Sequence, residues 1–261
     1  MILITCCLIV FVIIFGFIVQ RRRIKASSPV FLLIILFSSI IGFASTFAWY
    51  GKPHPVACAF QPWLLGFSVI SLISALSAKT WRMWRIFRST LKRTVIKRAK
   101  IFILYCIMVV PAVFIILVWT IVSTPTAAIE EKDGEDHYVC TTGGFTGKPG
   151  GIVFFSILVA YDAIVLLFGA FLSIVTRNVP SFFNESKLVA ISIYNLGFLS
   201  VVVIPVFLVL QEYNPFAAWI IRTVAILYAF SATLLLQFLP KLVGVIILDR
   251  GSESSPVTLT T

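Results

Sequence analysis

Residues 62–100, PWLLGFSVISLISALSAKTWRMWRIFRSTLKRTVIKRAK, join an uncharged apolar run to a run rich in lysine and arginine. The apolar part, Pro62 to Ala78, is about as long as a bilayer-spanning helix, which needs roughly 17 to 25 apolar residues. Trp81 and Trp84 follow at the depth of the lipid headgroups, where tryptophan is common in membrane proteins. This stretch therefore predicts a transmembrane helix that ends at a positively charged membrane surface.

Six further stretches share this length and low charge. The seven predicted spans are approximately 2–19, 30–50, 62–78, 101–122, 151–175, 188–210 and 216–239. The composition, 60% hydrophobic and 12% charged residues, excludes a soluble globular protein. The spans lack the short polar alternation of a membrane barrel, so they predict helices. The predicted fold is an all-α membrane protein, a seven-transmembrane helix bundle over residues 1–242 with a short, disordered cytosolic tail at 243–261.

Basic residues are distributed unequally between the loops. They are concentrated at 21–25 and 82–100, whereas the loop before the fifth span is acidic at 130–136. Because basic loops face the cytosol, we expect the N-terminus outside and the C-terminus in the cytosol. The net charge of +11 is thus mainly a signal of orientation in the lipid membrane, and we expect no nucleic-acid partner.

Two cysteines lie in outward-facing connections. Cys58 precedes the third span and Cys140 lies in the long loop before the fifth. The outer face of a cell is oxidising, so we predict a disulfide between them that ties this loop across the third helix. The rest of the loop, 123–150, is rich in Gly and Thr and is expected to be flexible and solvated. We expect no metal site and no cofactor, since neither histidine has a ligand-like spacing.

Asp162 and Arg222 are the formal charges inside predicted spans. Charge at this depth is costly and therefore suggests a function. One hypothesis is a pair or a shared water network that lines an outer-half cavity for a polar or lipid ligand, although the sequence does not show that the two residues meet. Gly169 and Gly197 permit close helix approach, and Pro205 permits a hinge, but ordinary packing is the simpler interpretation.

Lys79, Arg82 and Arg85 are spaced three residues apart and fall along one helical stripe. Snorkelling to the headgroups is the simplest interpretation for the two arginines. Lys79 lies deeper in the span, which favours a partner within the bundle.

An ordered set of short motifs resembles the seven-helix domain of class C G-protein-coupled receptors, and within that class the metabotropic GABA (type B) receptors. The motifs are RIKASSP at 23–29, AKTWR at 78–82, GAFL at 169–172, TRNV at 176–179, NESK at 184–187, SIYN at 192–195 and PKL at 240–242. No single motif is diagnostic, but their order and spacing agree from about residue 21 to residue 242.

The resemblance implies a receptor of the plasma membrane rather than an enzyme. Lys79 would pair with Glu185 at the start of the sixth span and hold the resting state, and Cys58 and Cys140 would form the family's disulfide. The implied partners are a heterotrimeric G protein and, in a homo- or heterodimer, another class C receptor subunit. The residues expected to face the G protein are Arg82, Arg85, Arg88, Lys92, Arg93, Lys97, Arg177 and Lys187.

Two alternatives remain open. A non-signalling partner subunit of a receptor dimer would have the same sequence features. A transporter or channel would have polar residues repeated along several helices or two matching halves, and neither is evident.

Overall fold

The computed structural model describes Val10 and residues 29–49, 55–88, 98–123, 125–132, 135–142, 149–176 and 185–253. The elements are α1 (Pro29–Ser45), a one-turn 3-10 helix (Thr46–Trp49), α2 (Pro55–Arg88), α3 (Arg98–Val122), β1 (Pro125–Lys132), β2 (Glu135–Thr142), α4 (Pro149–Thr176), α5 (Glu185–Tyr213) and α6 (Pro215–Glu253). Apart from Val10, the predicted first span lies outside these ranges, as do Lys92, Arg93, Lys97 and Arg177.

Within these ranges, six helices are long and apolar enough to cross a membrane. They correspond to the second to seventh predicted spans, in order from α1 to α6. The prediction of a helical membrane protein is therefore confirmed for this part of the chain.

Prolines mark where several helices begin. Pro29, Pro55, Pro149 and Pro215 are each the first residue of a helix. The first turn has no use for the missing amide proton, and the ring fixes a helical backbone angle. Asn214 caps α6, because its side-chain oxygen accepts a hydrogen bond from the amide of Ala217 at 3.1 Å.

Two helices extend beyond the predicted spans. α2 begins at Pro55 rather than at Pro62, which lies inside it. α6 continues to Glu253, so the prediction of a disordered tail is wrong for residues 243–253. The sequence from 242 to 248 is apolar and lacks proline, and nothing in it stops a helix.

The long loop contains a β-hairpin rather than only flexible turns. β1 and β2 are antiparallel, with Ala127 opposite Cys140 and Lys132 opposite Glu135. The connecting residues, Asp133 and Gly134, are the dipeptide that most strongly favours a two-residue hairpin turn. The loop prediction for 123–150 is therefore wrong over the two strands.

The helix α2 lies at the centre of the bundle. It packs against α1, α3 and α4, whereas α5 packs mainly against α6 and less extensively against α4. Every side chain from Ile70 to Thr80 is buried. β1 also packs against α2. We therefore distinguish a hairpin end of the bundle from a basic end, where α2 and α4 end and α3 and α5 begin.

Candidate functional site

A chain of hydrogen bonds between buried polar side chains joins three helices towards the basic end. Lys79 Nζ on α2 donates to Oε1 of Gln237 on α6 at 2.8 Å. Nε2 of Gln237 donates to Oγ of Ser192 on α5 at 3.0 Å. The Ser192 hydroxyl in turn donates to the carbonyl oxygen of Leu188. We call Lys79, Ser192 and Gln237 the Lys79 cluster.

The Lys79 cluster is buried although it contains an amine that is ordinarily charged. Lys79 is 2% exposed, Gln237 is 3% exposed and Ser192 is fully buried. Removing an ammonium group from water is costly unless protein partners replace its hydration. The Gln237 amide bridges lysine and serine through its two polar atoms, so loss of any member leaves a buried group with one hydrogen bond fewer.

The predicted partner of Lys79 belongs to the same region. Glu185 is the first residue of α5, but its side chain lies outside the part that the structure describes. Glu185 is seven residues from Ser192, about two turns, so the two positions share one face of α5. Ser186 Oγ donates to the carbonyl oxygen of Thr176 at 3.0 Å and ties the start of α5 to the end of α4. The Lys79–Glu185 ion pair stays a prediction.

The structure places four of the residues expected to face a G protein. Arg85 and Lys187 are exposed at the basic end, on α2 and α5, and Arg82 is partly buried. The Arg85 guanidinium lies over the ring of Trp81, 5.2 Å from its centroid. Arg88 is the last residue of α2, and its side chain is not described. The basic surface is therefore formed by more than one helix.

Small polar residues line the contact between α2 and α4 near the Lys79 cluster. Ser74, Ser77 and Ser173 are buried, and none of their hydroxyls has a hydrogen-bond partner. The Ser77 hydroxyl lies directly against Gly169, where an added Cβ would collide with it. The two helices can approach this closely because both carry small residues at the crossing.

The two intramembrane charges do not meet. Among the described side chains, Asp162 on α4 forms no ion pair with Arg222 on α6, and one carboxylate oxygen of Asp162 is buried without a hydrogen bond. The Arg222 guanidinium instead lies 5.4 Å from the centroid of the Phe207 ring, on α5. Because α4 and α6 each pack against α5, that helix separates the two charges, and the hypothesis of a direct pair is wrong for this structure.

The predicted disulfide is described on one side. Cys58 is fully buried near the start of α2 and is disulfide-bonded. Cys140 lies in β2, opposite Ala127 of β1, and β1 packs against α2. The side chain of Cys140 lies outside the described part, so its bond to Cys58 stays a prediction.

The fold and the comparisons with known proteins together define the class. The family described as "7 transmembrane sweet-taste receptor of 3 GCPR" matches residues 1–241. The chain therefore belongs to the class C G-protein-coupled receptors, a family of receptors rather than enzymes, whose members signal through G proteins and form dimers.

Similar proteins are found in an amoeba and in mammals. The chain is 35% identical over 227 residues to metabotropic glutamate receptor-like protein E of Dictyostelium discoideum, covering 85% of this chain and 27% of the relative. It is 27% identical over 241 residues to gamma-aminobutyric acid type B receptor subunit 2 of Homo sapiens, covering 86% of this chain and 25% of the relative. The chain thus spans about a quarter of the length of these relatives.

Sequence reasoning missed Gln237, the residue at the centre of the Lys79 cluster. A signal was present, because Gln237 is a polar residue within the predicted seventh span, and polar residues at that depth usually need a partner. Ser192 was noticed only as part of a motif, since a serine in a membrane helix commonly bonds to its own backbone.

Proposed function

We propose that this chain is the transmembrane signalling domain of a GABA type B-like class C receptor in the plasma membrane, and that it activates a heterotrimeric G protein. The basic end faces the cytosol and the hairpin end faces outward. The Lys79 cluster stabilises the resting arrangement of the helices. Signalling requires a dimer with another class C receptor subunit.

The observation that carries the proposal is the single polar connection from the central helix to two peripheral helices. Lys79 reaches Gln237 on α6, and Gln237 reaches Ser192 on α5. α5 and α6 pack extensively against each other. They can therefore move as a pair relative to α2 once the cluster separates.

Such a movement would change the basic surface. Arg85 belongs to α2 and Lys187 to α5, and both are exposed. Displacement of the α5–α6 pair would alter the distance between these groups and open a cleft between the helices for a G-protein segment. Glu185 supports the same role, because its position on α5 allows a carboxylate to share the Lys79 amine in the resting state.

The energy needed for the switch is modest. A tenfold change in the ratio of two states requires about 1.4 kcal/mol. A hydrogen bond that involves a charged group contributes about 1.5 to 3 kcal/mol. Loss of the lysine amine is therefore sufficient to change the resting population measurably.

Replacement of Lys79 by methionine tests the proposal. The side chain keeps its approximate length and loses the amine, so we expect basal G-protein activation to rise about tenfold at equal surface expression. The measurement is nucleotide exchange on G protein by membranes that contain the full-length receptor. Exchanging the charges in Lys79→Glu with Glu185→Lys should return the activity towards the resting level.

A matched control removes a hydrogen bond at the other end of the same helix. Trp63 Nε1 on α2 donates to Thr120 Oγ1 on α3 at 2.8 Å. Thr120→Val deletes this contact far from the Lys79 cluster and should leave basal activity unchanged. Equal activation by both variants would contradict a special role for the cluster. A complete lack of G-protein activation by every variant would favour the non-signalling partner subunit.

A further inference from the structure

Two exposed basic residues lie at one depth on neighbouring helices at the basic end. The helices α2 and α3 are antiparallel and are matched in height by two contacts. Trp63 bonds to Thr120 at 2.8 Å, and Gly66 lies against Ile116. Each step along α2 therefore corresponds to one step back along α3.

This register places Lys100 close in height to Arg85. Trp81 is 81 − 63 = 18 residues beyond Trp63 and is therefore level with position 120 − 18 = 102 of α3. Lys100 is then level with position 83 of α2, within one helical turn of Arg85. Both side chains are exposed.

The aromatic residue beneath Arg85 faces the same neighbouring helix. Eighteen residues make about five full turns, so Trp81 lies on the face of α2 from which Trp63 reaches α3. Arg85 follows one turn later with its guanidinium over the Trp81 ring. A cation–π contact of this kind orients the guanidinium without neutralising it.

We propose that Trp81, Arg85 and Lys100 form a binding site for the headgroup of an anionic phospholipid. The tryptophan sets the depth of the headgroup layer, and the two cations supply the charge. The surrounding sequence favours an anion, because residues 79–100 contain nine lysines and arginines and no aspartate or glutamate. Only the identity of the leaflet rests on the proposed orientation.

The direct test measures lipid binding by the full chain. Purified receptor in nanodiscs of phosphatidylcholine is titrated with fluorescent phosphatidylserine or phosphatidylinositol bisphosphate, with no G protein present. A basic residue near a membrane surface changes affinity for anionic lipid by about fivefold. We therefore expect about a 25-fold loss of affinity in Arg85→Gln with Lys100→Gln, and native mass spectrometry should show fewer retained anionic lipids.

A control variant separates this site from general surface charge. Lys187→Gln removes an exposed lysine at the start of α5, away from the α2–α3 contact, and should leave lipid affinity unchanged. An equal loss in this variant would overturn the proposal, as would unchanged affinity in the double variant. Because the substituted side chains are exposed, the melting temperature should be preserved, and a large decrease would also count against the site.

Two further outcomes identify other ligands. Competition by inorganic phosphate at the affinity of the lipid would indicate a free-anion site instead of a lipid site. Reduced G-protein activation in the double variant with unchanged lipid affinity would assign these residues to the protein partner alone. Either result overturns the lipid proposal, while the effect of Lys79→Met on basal activity would still stand.

Discussion

The helices α2 and α5 show opposite relations to the rest of the bundle. All side chains of α2 from Ile70 to Thr80 are buried, and its neighbours surround it. α5 instead exposes much of its surface, including Val201 at 74%. α2 is therefore a fixed axis, and α5 is a peripheral element whose described polar link to α2 runs through the Lys79 cluster.

The two helices also differ in what limits their movement. At the α2–α4 contact, Ser77 fills the space beside Gly169, and both backbones are held by several neighbouring helices. At the α4–α5 contact, Gly197 faces only the terminal methyl of Leu166, at 3.2 Å from an added Cβ. A flexible side chain can move away, whereas a buried helix cannot.

The largest expected effect comes from filling these two contacts. Gly169→Leu would force α2 and α4 apart and should lower the free energy of unfolding by about 3 kcal/mol or more. Gly197→Leu should cost less than about 1.5 kcal/mol, because Leu166 can adjust its rotamer. Thermal unfolding in detergent measures both variants. Equal destabilisation would contradict the distinction between a fixed and a peripheral helix.

The next effect concerns how α2 is anchored at the hairpin end. If Cys58 is bonded to Cys140, either cysteine-to-serine variant should lower stability by about 2 to 4 kcal/mol, and the double variant should lower it no further. Thermal unfolding measures this, and thiol labelling should detect one new reactive thiol in each single variant. Additive losses would show that the two residues are not bonded to each other.

A smaller effect is expected from the centre of the Lys79 cluster. Gln237→Leu keeps the volume and removes both bridging atoms, which should cost about 2 kcal/mol and raise basal G-protein activation. Combined with Lys79→Met, the effect should be less than the sum, with a coupling of about 0.5 to 3 kcal/mol. Thermal unfolding and nucleotide exchange provide the two readouts. Strict additivity would mean that the two side chains act independently.

The contrast between α2 and α5 could be predicted from the sequence only in part. Span length and charge are local properties, so six helices and the unusual depth of Lys79 were evident. The Asp133-Gly134 turn was also visible but was not used, and the hairpin was missed. The position of Gln237 beside Lys79 depends on how distant helices pack, and neither residue records that in its own neighbourhood.

The intramembrane charges show the same limit. Asp162 and Arg222 have opposite signs and lie in separate spans, which suggested a pair. Their helices both pack against α5, which lies between them, and Arg222 contacts Phe207 instead. Sign and depth are read from sequence, but the neighbour of a helix is set by packing of the whole bundle.

The smallest expected effect sharpens the comparison within α5 itself. Ser192 accepts a hydrogen bond from Gln237, whereas Ser200 donates only to the carbonyl oxygen of Leu196 in its own helix. Ser192→Ala should raise basal activation about fivefold, since a neutral hydrogen bond contributes about 1 kcal/mol. Ser200→Ala changes the same atoms one face away and should have no effect. If the two variants behave alike in nucleotide exchange, α5 is not held to α2 through the Lys79 cluster.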